Sequence, residues 1–180
     1  LSSRSLSWTI GRISYYLKNN NEKFQQYSDI YIFDFHLLKK SEIITSNLSE
    51  GSKIIAEHVS KIIKKINSAE KDVSLLGRSY GGGISIRVAE NDYIKSINLA
   101  SPGHDKKIGL LELISKRKDL LIKICSTKED EKVHIKEIIK MINQLYESNY
   151  DNFDWNIFSM KPYHDYLNHR IHQWTIDNLI

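Results

Sequence analysis

Four of the chain's eight glycines surround one serine in the stretch SLLGRSYGGGISIRVAE, residues 74–90. Within it, Gly77, Ser79 and Gly81 form the pattern Gly-x-Ser-x-Gly between a predicted strand and a predicted helix. This is the setting of a nucleophile elbow, a sharp turn that presents a serine at a helix N-terminus. The turn strains the serine backbone, while the flanking glycines allow strand and helix to approach without Cβ clashes. The helix dipole and N–H groups there favour the negative charge that develops in acyl transfer.

The motif has two alternative interpretations. A glycine-rich turn without chemistry produces the same five-residue pattern by chance, so the preceding strand and the following helix carry the interpretation. A phosphate-binding loop is disfavoured, because no Lys-Ser or Lys-Thr pair follows the glycines and the Walker spacing is absent. Ser79 is therefore the candidate nucleophile.

A nucleophilic serine needs a base, and the base needs an orienting acid. In folds that carry a nucleophile elbow, the three residues follow the chain order Ser, then Asp or Glu, then His. Glu129 and Asp130 follow the predicted strand LLIKICS, and His164 follows the last predicted strand, DWNIFSM. We predict that Asp130 is the acid, with Glu129 as the alternative, and that His164 is the base.

Two alternatives concern the acid. Thr127-x-x-Asp130 is also a capping-box pattern at the start of the next predicted helix, which would give Asp130 a structural role. Asp105, in SPGHDKK after an earlier predicted strand, is a second candidate acid. The base has fewer competitors, because His164 is predicted in a loop whereas four other histidines are predicted on helices: His58, His134, His169 and His172.

Two hydrophobic periodicities alternate along the chain and predict the elements that position these residues. Short β-branched or aromatic runs predict strands at 29–35, 72–77, 94–101, 119–126 and 154–159. Apolar residues at helical spacing predict helices at 6–18, 51–68, 81–90, 107–116, 131–148 and from about 165. Regular alternation predicts an α/β fold with a mostly parallel sheet and helices on both faces. Ligands of such sheets bind beyond the carboxyl ends of the strands, where all the candidates above are predicted to lie.

Composition excludes several classes of function. The 180 residues suit a single domain over 1–180 with a real core. Lys plus Arg exceed Asp plus Glu by only 26 to 22, without a basic block, which argues against a nucleic-acid partner. The single cysteine, Cys125, lies in an apolar run and favours a reducing, cytoplasmic location. No apolar run is long enough to predict membrane insertion.

The chain resembles the α/β-hydrolase family over nearly its whole length. SLLGRSYGGG resembles the family's elbow, STKEDEKV resembles its acid loop, in which an Asp precedes a Val by three positions, and FSMKPYHDYL resembles its histidine loop. The resemblance implies that the chain lacks the family's first strands, as in an N-terminally truncated domain. It also implies that the half of the oxyanion hole supplied by the loop before the first helix either lies around Leu1 or Ser2 or is missing. It also implies that the backbone N–H of Tyr80 supplies the other half of that hole.

The sequence therefore predicts a serine hydrolase that cleaves an ester, thioester or related acyl bond of a small-molecule substrate, without a cofactor or metal. Too few residues separate the elbow helix from strand 119–126 for a large lid, which favours an esterase or thioesterase over an interfacial lipase. Two alternatives remain at this point. One is a hydrolase-fold binding module that has lost catalysis, and the other is an acyltransferase that uses the same serine.

Overall fold

The computed structural model describes residues 29, 31–33, 48–68, 71–103, 109–130 and 133–159. The chain divides into two compact units, residues 44–161 and the terminal segments 1–43 and 162–180. Of the second unit only 29 and 31–33 are described, and they form no strand, unlike the predicted strand 29–35. Tyr31 and Ile32 are exposed there, so their apolar side chains mark no buried strand. The expectation of a single domain stays a prediction.

Residues 44–161 alternate helices and strands as predicted, and each described boundary lies within a few residues of its predicted position. The helices are α1 (Leu48–Ile66), α2 (Tyr80–Val88), α3 (Leu110–Lys116) and α4 (Ile135–Glu147). The strands are β1 (Val73–Arg78), β2 (Ile94–Ala100), β3 (Leu121–Thr127) and β4 (Phe153–Phe158). The largest difference is at α4, which begins four residues after the predicted start at 131.

The four strands form one parallel sheet in the order β1-β2-β3-β4. Each strand pairs with the next one along the chain, and a helix connects each pair, as parallel pairing requires. Because all four strands run in the same direction, their carboxyl ends lie along one edge of the sheet. The predicted α/β fold with a parallel sheet is confirmed, and the candidate residues after β1 and β3 share that edge.

The helices pack as a layer whose buried stripes follow from sequence periodicity. Helix α2 packs on β1, β2 and α1, and α4 packs on β3 and α3. The buried side of α4 consists of residues three or four positions apart: Ile138, Met141, Ile142 and Leu145. The predicted helices 6–18 and from about 165 lie outside the described residues. None of the described helices has the length and apolar character to cross a membrane.

Arg117 fixes the amino-terminal end of β2 against the end of α2. Its guanidinium is buried and donates hydrogen bonds to the carbonyl oxygens of Ala89, Asn91 and Ile94 at 3.0, 2.6 and 2.7 Å. It also pairs with the carboxylate of Asp119, with both N···O distances at 2.9 Å. The charge is therefore satisfied where burial would otherwise make it costly.

Candidate active site

Ser79 is the single residue between β1 and α2, and its backbone has φ 49° and ψ −121°. An L-residue rarely adopts this conformation, which costs of order 1–3 kcal/mol. The turn is held by the backbone, since the Ser79 N–H donates to Ala100 O at 3.0 Å and Ser79 O accepts from Gly82 N at 2.9 Å. The Ser79 hydroxyl does not cap α2. The structure thus has the strained strand-to-helix turn that the motif predicts.

Close approach, rather than positive φ, explains Gly77 but not Gly81 beside the Ser79 turn. All described glycines have negative φ, and the serine itself takes the unusual conformation. A Cβ on Gly77 would clash with Ser85 Oγ and lie 2.5 Å from Gly81 O, so this glycine is needed where strand and helix meet. A Cβ on Gly81 would meet no atom within 4 Å. The prediction that Gly81 also prevents a clash is wrong, because its side-chain direction is open.

The loop after β2 supports the elbow, which the sequence did not indicate. The N–H of Gly103 donates to Ser79 O at 2.8 Å, and a Cβ on Gly82 would lie 2.7 Å from Pro102 Cβ. Ser101 also has a positive φ, 41°, and its buried hydroxyl lies 3.2 Å from that of Ser126. Gly82 is therefore the second glycine that close packing requires, and its neighbour is a loop distant in sequence.

Tyr80 is the first residue of α2, and the N–H groups of a helix's first turn point out of its N-terminal end. They carry the positive end of the helix dipole, which stabilises nearby negative charge. Helix α2 has no acidic residue in its first turn. The backbone beside Ser79 is therefore electrostatically suited to an anion.

Asp130 lies three residues after the end of β3. Its Oδ1 accepts a hydrogen bond from the N–H of Val133 at 2.9 Å, and its own N–H donates to Thr127 O at 3.4 Å. The Asp-to-Val spacing noted in the sequence thus closes a turn that orients the carboxyl group. Since β2 lies between β1 and β3, the ends of the strands before Ser79 and Asp130 are about 10 Å apart.

The capping-box interpretation of Thr127 and Asp130 is wrong. Thr127 is the last residue of β3, and α4 begins only at Ile135 with His134 as its N-cap. The buried Thr127 hydroxyl has no hydrogen-bond partner among the described residues. The pattern fails because the chain forms a turn after β3 before the helix starts.

Glu129, the alternative acid, accepts a hydrogen bond from the hydroxyl of Ser159 at 2.5 Å. Ser159 directly follows β4, so this bond joins the loops after two neighbouring strands. The two neighbouring carboxylates therefore form different hydrogen bonds. Glu129 bonds to the residue after β4, whereas Asp130 bonds within its own turn.

Arg78, the last residue of β1, directly precedes Ser79. It lies in register with Ala100, which lies in register with Cys125, so the three side chains leave the sheet on one face. Burial lowers the pKa of the Arg78 guanidinium, and the nearby Asp130 carboxylate and Cys125 sulfur oppose that effect. Asp130 is therefore close enough to Arg78 for an electrostatic interaction.

Of the chain's seven histidines, the structure describes His58 and His134, both exposed. His58 lies on α1 as predicted, whereas His134, also predicted on a helix, is the N-cap residue that precedes α4. His164, the predicted base, and Asp105, the second candidate acid, lie outside the described residues. Within the described ranges, no group of three or more His, Cys, Asp or Glu side chains could hold a metal ion.

Comparisons with known proteins give matches at the level of structure. No family model and no curated protein sequence matches the chain. An α/β serine hydrolase homologue from Coxiella burnetii superposes on 86% of this chain with a TM-score of 0.56 and 15% identity. The chain has an α/β-hydrolase-like fold.

The chain spans 64% of the length of that Coxiella burnetii protein. A sugar hydrolase from Lactococcus lactis superposes at a TM-score of 0.49 and 18% identity. The superposition covers 77% of this chain and 69% of the sugar hydrolase. A monoacylglycerol lipase from Paleococcus ferrophilus superposes at a TM-score of 0.41 and 14% identity. The superposition covers 68% of this chain and 75% of the lipase. The superposition on the Coxiella burnetii protein confirms the α/β-hydrolase-like fold expected from the sequence.

Proposed function

We propose that the protein is a serine hydrolase that cleaves an ester, thioester or related acyl bond of a small-molecule substrate. The observation that carries the proposal is the backbone of Ser79. A non-glycine residue is held at φ 49° at a strand-to-helix turn, and its hydroxyl does not cap the helix. Strained residues of this kind concentrate at functional sites, where the strain positions a reacting group.

In the proposed reaction the Ser79 hydroxyl oxygen attacks the substrate carbonyl carbon while His164 accepts the hydroxyl proton. The resulting oxyanion lies at the N-terminus of α2 and accepts a hydrogen bond from the backbone N–H of Tyr80. The carbon–heteroatom bond then breaks, and His164 returns its proton to the departing alcohol or thiol. Water repeats the sequence on the acyl-enzyme and releases the carboxylic acid and Ser79.

Asp130 is proposed as the acid that orients His164. The Val133 N–H fixes its carboxyl group, and its position after β3 places it two strands from the nucleophile. The base is assigned to His164 from chain order and from its predicted loop position.

Hydrolysis of p-nitrophenyl esters of graded acyl chain length tests the proposal. We expect wild-type turnover that falls by at least about 10³-fold in Ser79→Ala. Ser115→Ala is the matched control, because Ser115 is exposed on α3 and its hydroxyl bonds only locally, to Glu112 O at 2.7 Å. Equal turnover by wild type and Ser79→Ala would refute the assignment of the nucleophile.

Product analysis separates hydrolysis from acyl transfer. In the presence of an alcohol or amine acceptor, a hydrolase releases mainly the free acid, whereas an acyltransferase releases mainly the acceptor ester or amide. Predominant acceptor product would replace the proposed hydrolase with the acyltransferase. The absence of turnover across the ester series, with a folded protein, would favour the binding module.

A further inference from the structure

The second half of α1 exposes apolar and basic side chains side by side. The buried stripe of the helix consists of residues three or four positions apart, including Ile55, Ala56, Val59 and Ile63. Ile62 and Ile66 lie beside that stripe and are 44% and 38% exposed. Lys61 and Lys65 are exposed as well. Two isoleucines therefore contact water next to lysines, although the core of the same helix is built from similar side chains.

The exposed side chains form two neighbouring rows along the helix. Positions four apart lie almost above one another, so Lys61 and Lys65 form one row, and Ile62 and Ile66 form the other. All four positions fall within about 140° of one another around the helix axis. We call these four residues the basic-apolar flank of α1. Residues 58–66 include no acidic residue, so the only charges on this flank are positive.

Ser60, on the opposite side of the helix from the flank, contacts residues that lie just before β2. Its carbonyl oxygen accepts a hydrogen bond from the Tyr93 hydroxyl at 3.3 Å, and its hydroxyl accepts one from Asn91 Nδ2 at 3.2 Å. Since β2 begins at Ile94, this half of α1 lies near the amino-terminal edge of the sheet. Ser79 follows the carboxyl end of β1, so a partner bound to the flank would leave the candidate active site open.

The lysines also have a structural role to consider. Lys64 and Lys65 lie in the last turn of α1, where positive charge interacts favourably with the helix dipole. That role explains neither Lys61, which precedes the last turn, nor the two exposed isoleucines between the lysines. The combination indicates a partner that offers both negative charge and an apolar region.

We propose that the basic-apolar flank of α1 binds the surface of an anionic lipid bilayer. The isoleucines enter the boundary between headgroups and acyl chains, and the lysines contact the anionic headgroups. A bilayer uses both rows of the flank, whereas a nucleic-acid backbone would use the lysines alone. The outer side of a helix is convex, which suits a planar surface. With two isoleucines and two lysines the attachment is peripheral and reversible, and it is independent of the reaction proposed at Ser79.

Cosedimentation of the protein with sucrose-loaded vesicles tests the inference. Vesicles of phosphatidylcholine with about 30 mol% phosphatidylserine are compared with vesicles of phosphatidylcholine alone. We expect binding to the anionic vesicles that falls when added sodium chloride screens the lysines, and little binding to the neutral ones. Equal binding to both vesicles would overturn the proposal. So would no binding to either by the folded protein, which is the result expected if the partner is an acidic protein.

Two double variants separate the apolar row from the basic row. Ile62→Ser with Ile66→Ser removes the apolar contact, and Lys61→Gln with Lys65→Gln removes the charge. Each should lower the partition coefficient on anionic vesicles at least about fivefold. Circular dichroism shows whether each variant is folded. Binding at the wild-type level by either folded double variant would contradict the proposal.

Matched controls change similar side chains elsewhere on the surface. Lys136→Gln with Lys140→Gln removes two exposed lysines at the same spacing on α4. Leu111→Ser removes an apolar side chain that is 48% exposed on α3. Both controls should bind anionic vesicles as the wild type does. A loss of binding in the controls equal to that in the α1 variants would show that the flank is not the binding surface.

Discussion

The backbone N–H of Gly103 donates to the carbonyl oxygen of Ser79 at 2.8 Å, which joins the loop after β2 to the turn after β1. The same carbonyl accepts a hydrogen bond from Gly82 N in the first turn of α2. The strained residue is thus held both by its own helix and by a loop more than twenty positions further along the chain. Rigid support of this kind is what a preorganised nucleophile requires.

Alanine at Gly82 and at Gly81 should have opposite effects on stability. A Cβ on Gly82 would lie 2.7 and 2.9 Å from Pro102 Cβ and Cα, so we expect Gly82→Ala to lower the free energy of unfolding by about 1–3 kcal/mol. Gly81→Ala enters open space in the same helix and should be neutral or stabilising by up to about 1 kcal/mol. Urea unfolding measures both. Equal destabilisation would contradict the packing described for Gly82.

Strain in the Ser79 backbone predicts which of two variants at this position is the more stable. Ser79→Ala retains a Cβ at φ 49°, whereas Ser79→Gly removes it, so Ser79→Gly should be the more stable variant by about 1 kcal/mol. This figure allows for the greater chain entropy that glycine loses on folding. Thermal and urea unfolding of the two variants provide the comparison. A less stable Ser79→Gly would mean that the turn is not strained.

Asp130 and Glu129 should differ in their effect on catalysis. Asp130→Asn keeps the size of the side chain but removes the charge that orients a base, so we expect kcat to fall about 10³–10⁴-fold. Glu129→Gln keeps an oxygen that can accept the Ser159 hydrogen bond, and kcat should change only a few-fold. Steady-state kinetics on one ester decide between them. The reverse ranking would make Glu129 the acid.

Acid should weaken one described ion pair in a defined pH range. The hydrogen bonds from Arg117 lower the pKa of Asp119 to about 2. A lowered folded-state pKa stabilises the protein fully above the unfolded-state value of about 4, and this contribution is lost as pH falls towards 2. Asp119 is 55% exposed, so solvent screening limits the contribution to about 1 kcal/mol or less.

The difference in unfolding free energy between wild type and Asp119→Asn should therefore be largest above about pH 4 and shrink towards pH 2. Urea unfolding at a series of pH values measures it. A difference that stays constant between pH 2 and 7 would show that the Asp119 charge contributes nothing.

The parts of the fold that depend on local sequence were predictable. Hydrophobic periodicity located all eight described helices and strands, and the motif located Ser79 at a strand-to-helix turn. The need for glycine at position 82 was not predictable, because a Cβ there would clash with Pro102. Pro102 follows β2 and lies next to Gly82 only because β2 pairs with β1. The capping-box pattern failed because Thr127 is used as the last residue of β3. Long-range pairing decided both outcomes.

The measurement that tests the central claim most directly is labelling with a fluorophosphonate probe, followed by peptide mass spectrometry. Such a probe forms a covalent bond with an activated serine and distinguishes it from ordinary hydroxyl groups. We predict one modified residue, Ser79, with labelling abolished in Ser79→Ala and retained in Ser115→Ala. Modification of a different serine, or an unlabelled wild type that is folded, would contradict the proposal that Ser79 is an activated nucleophile.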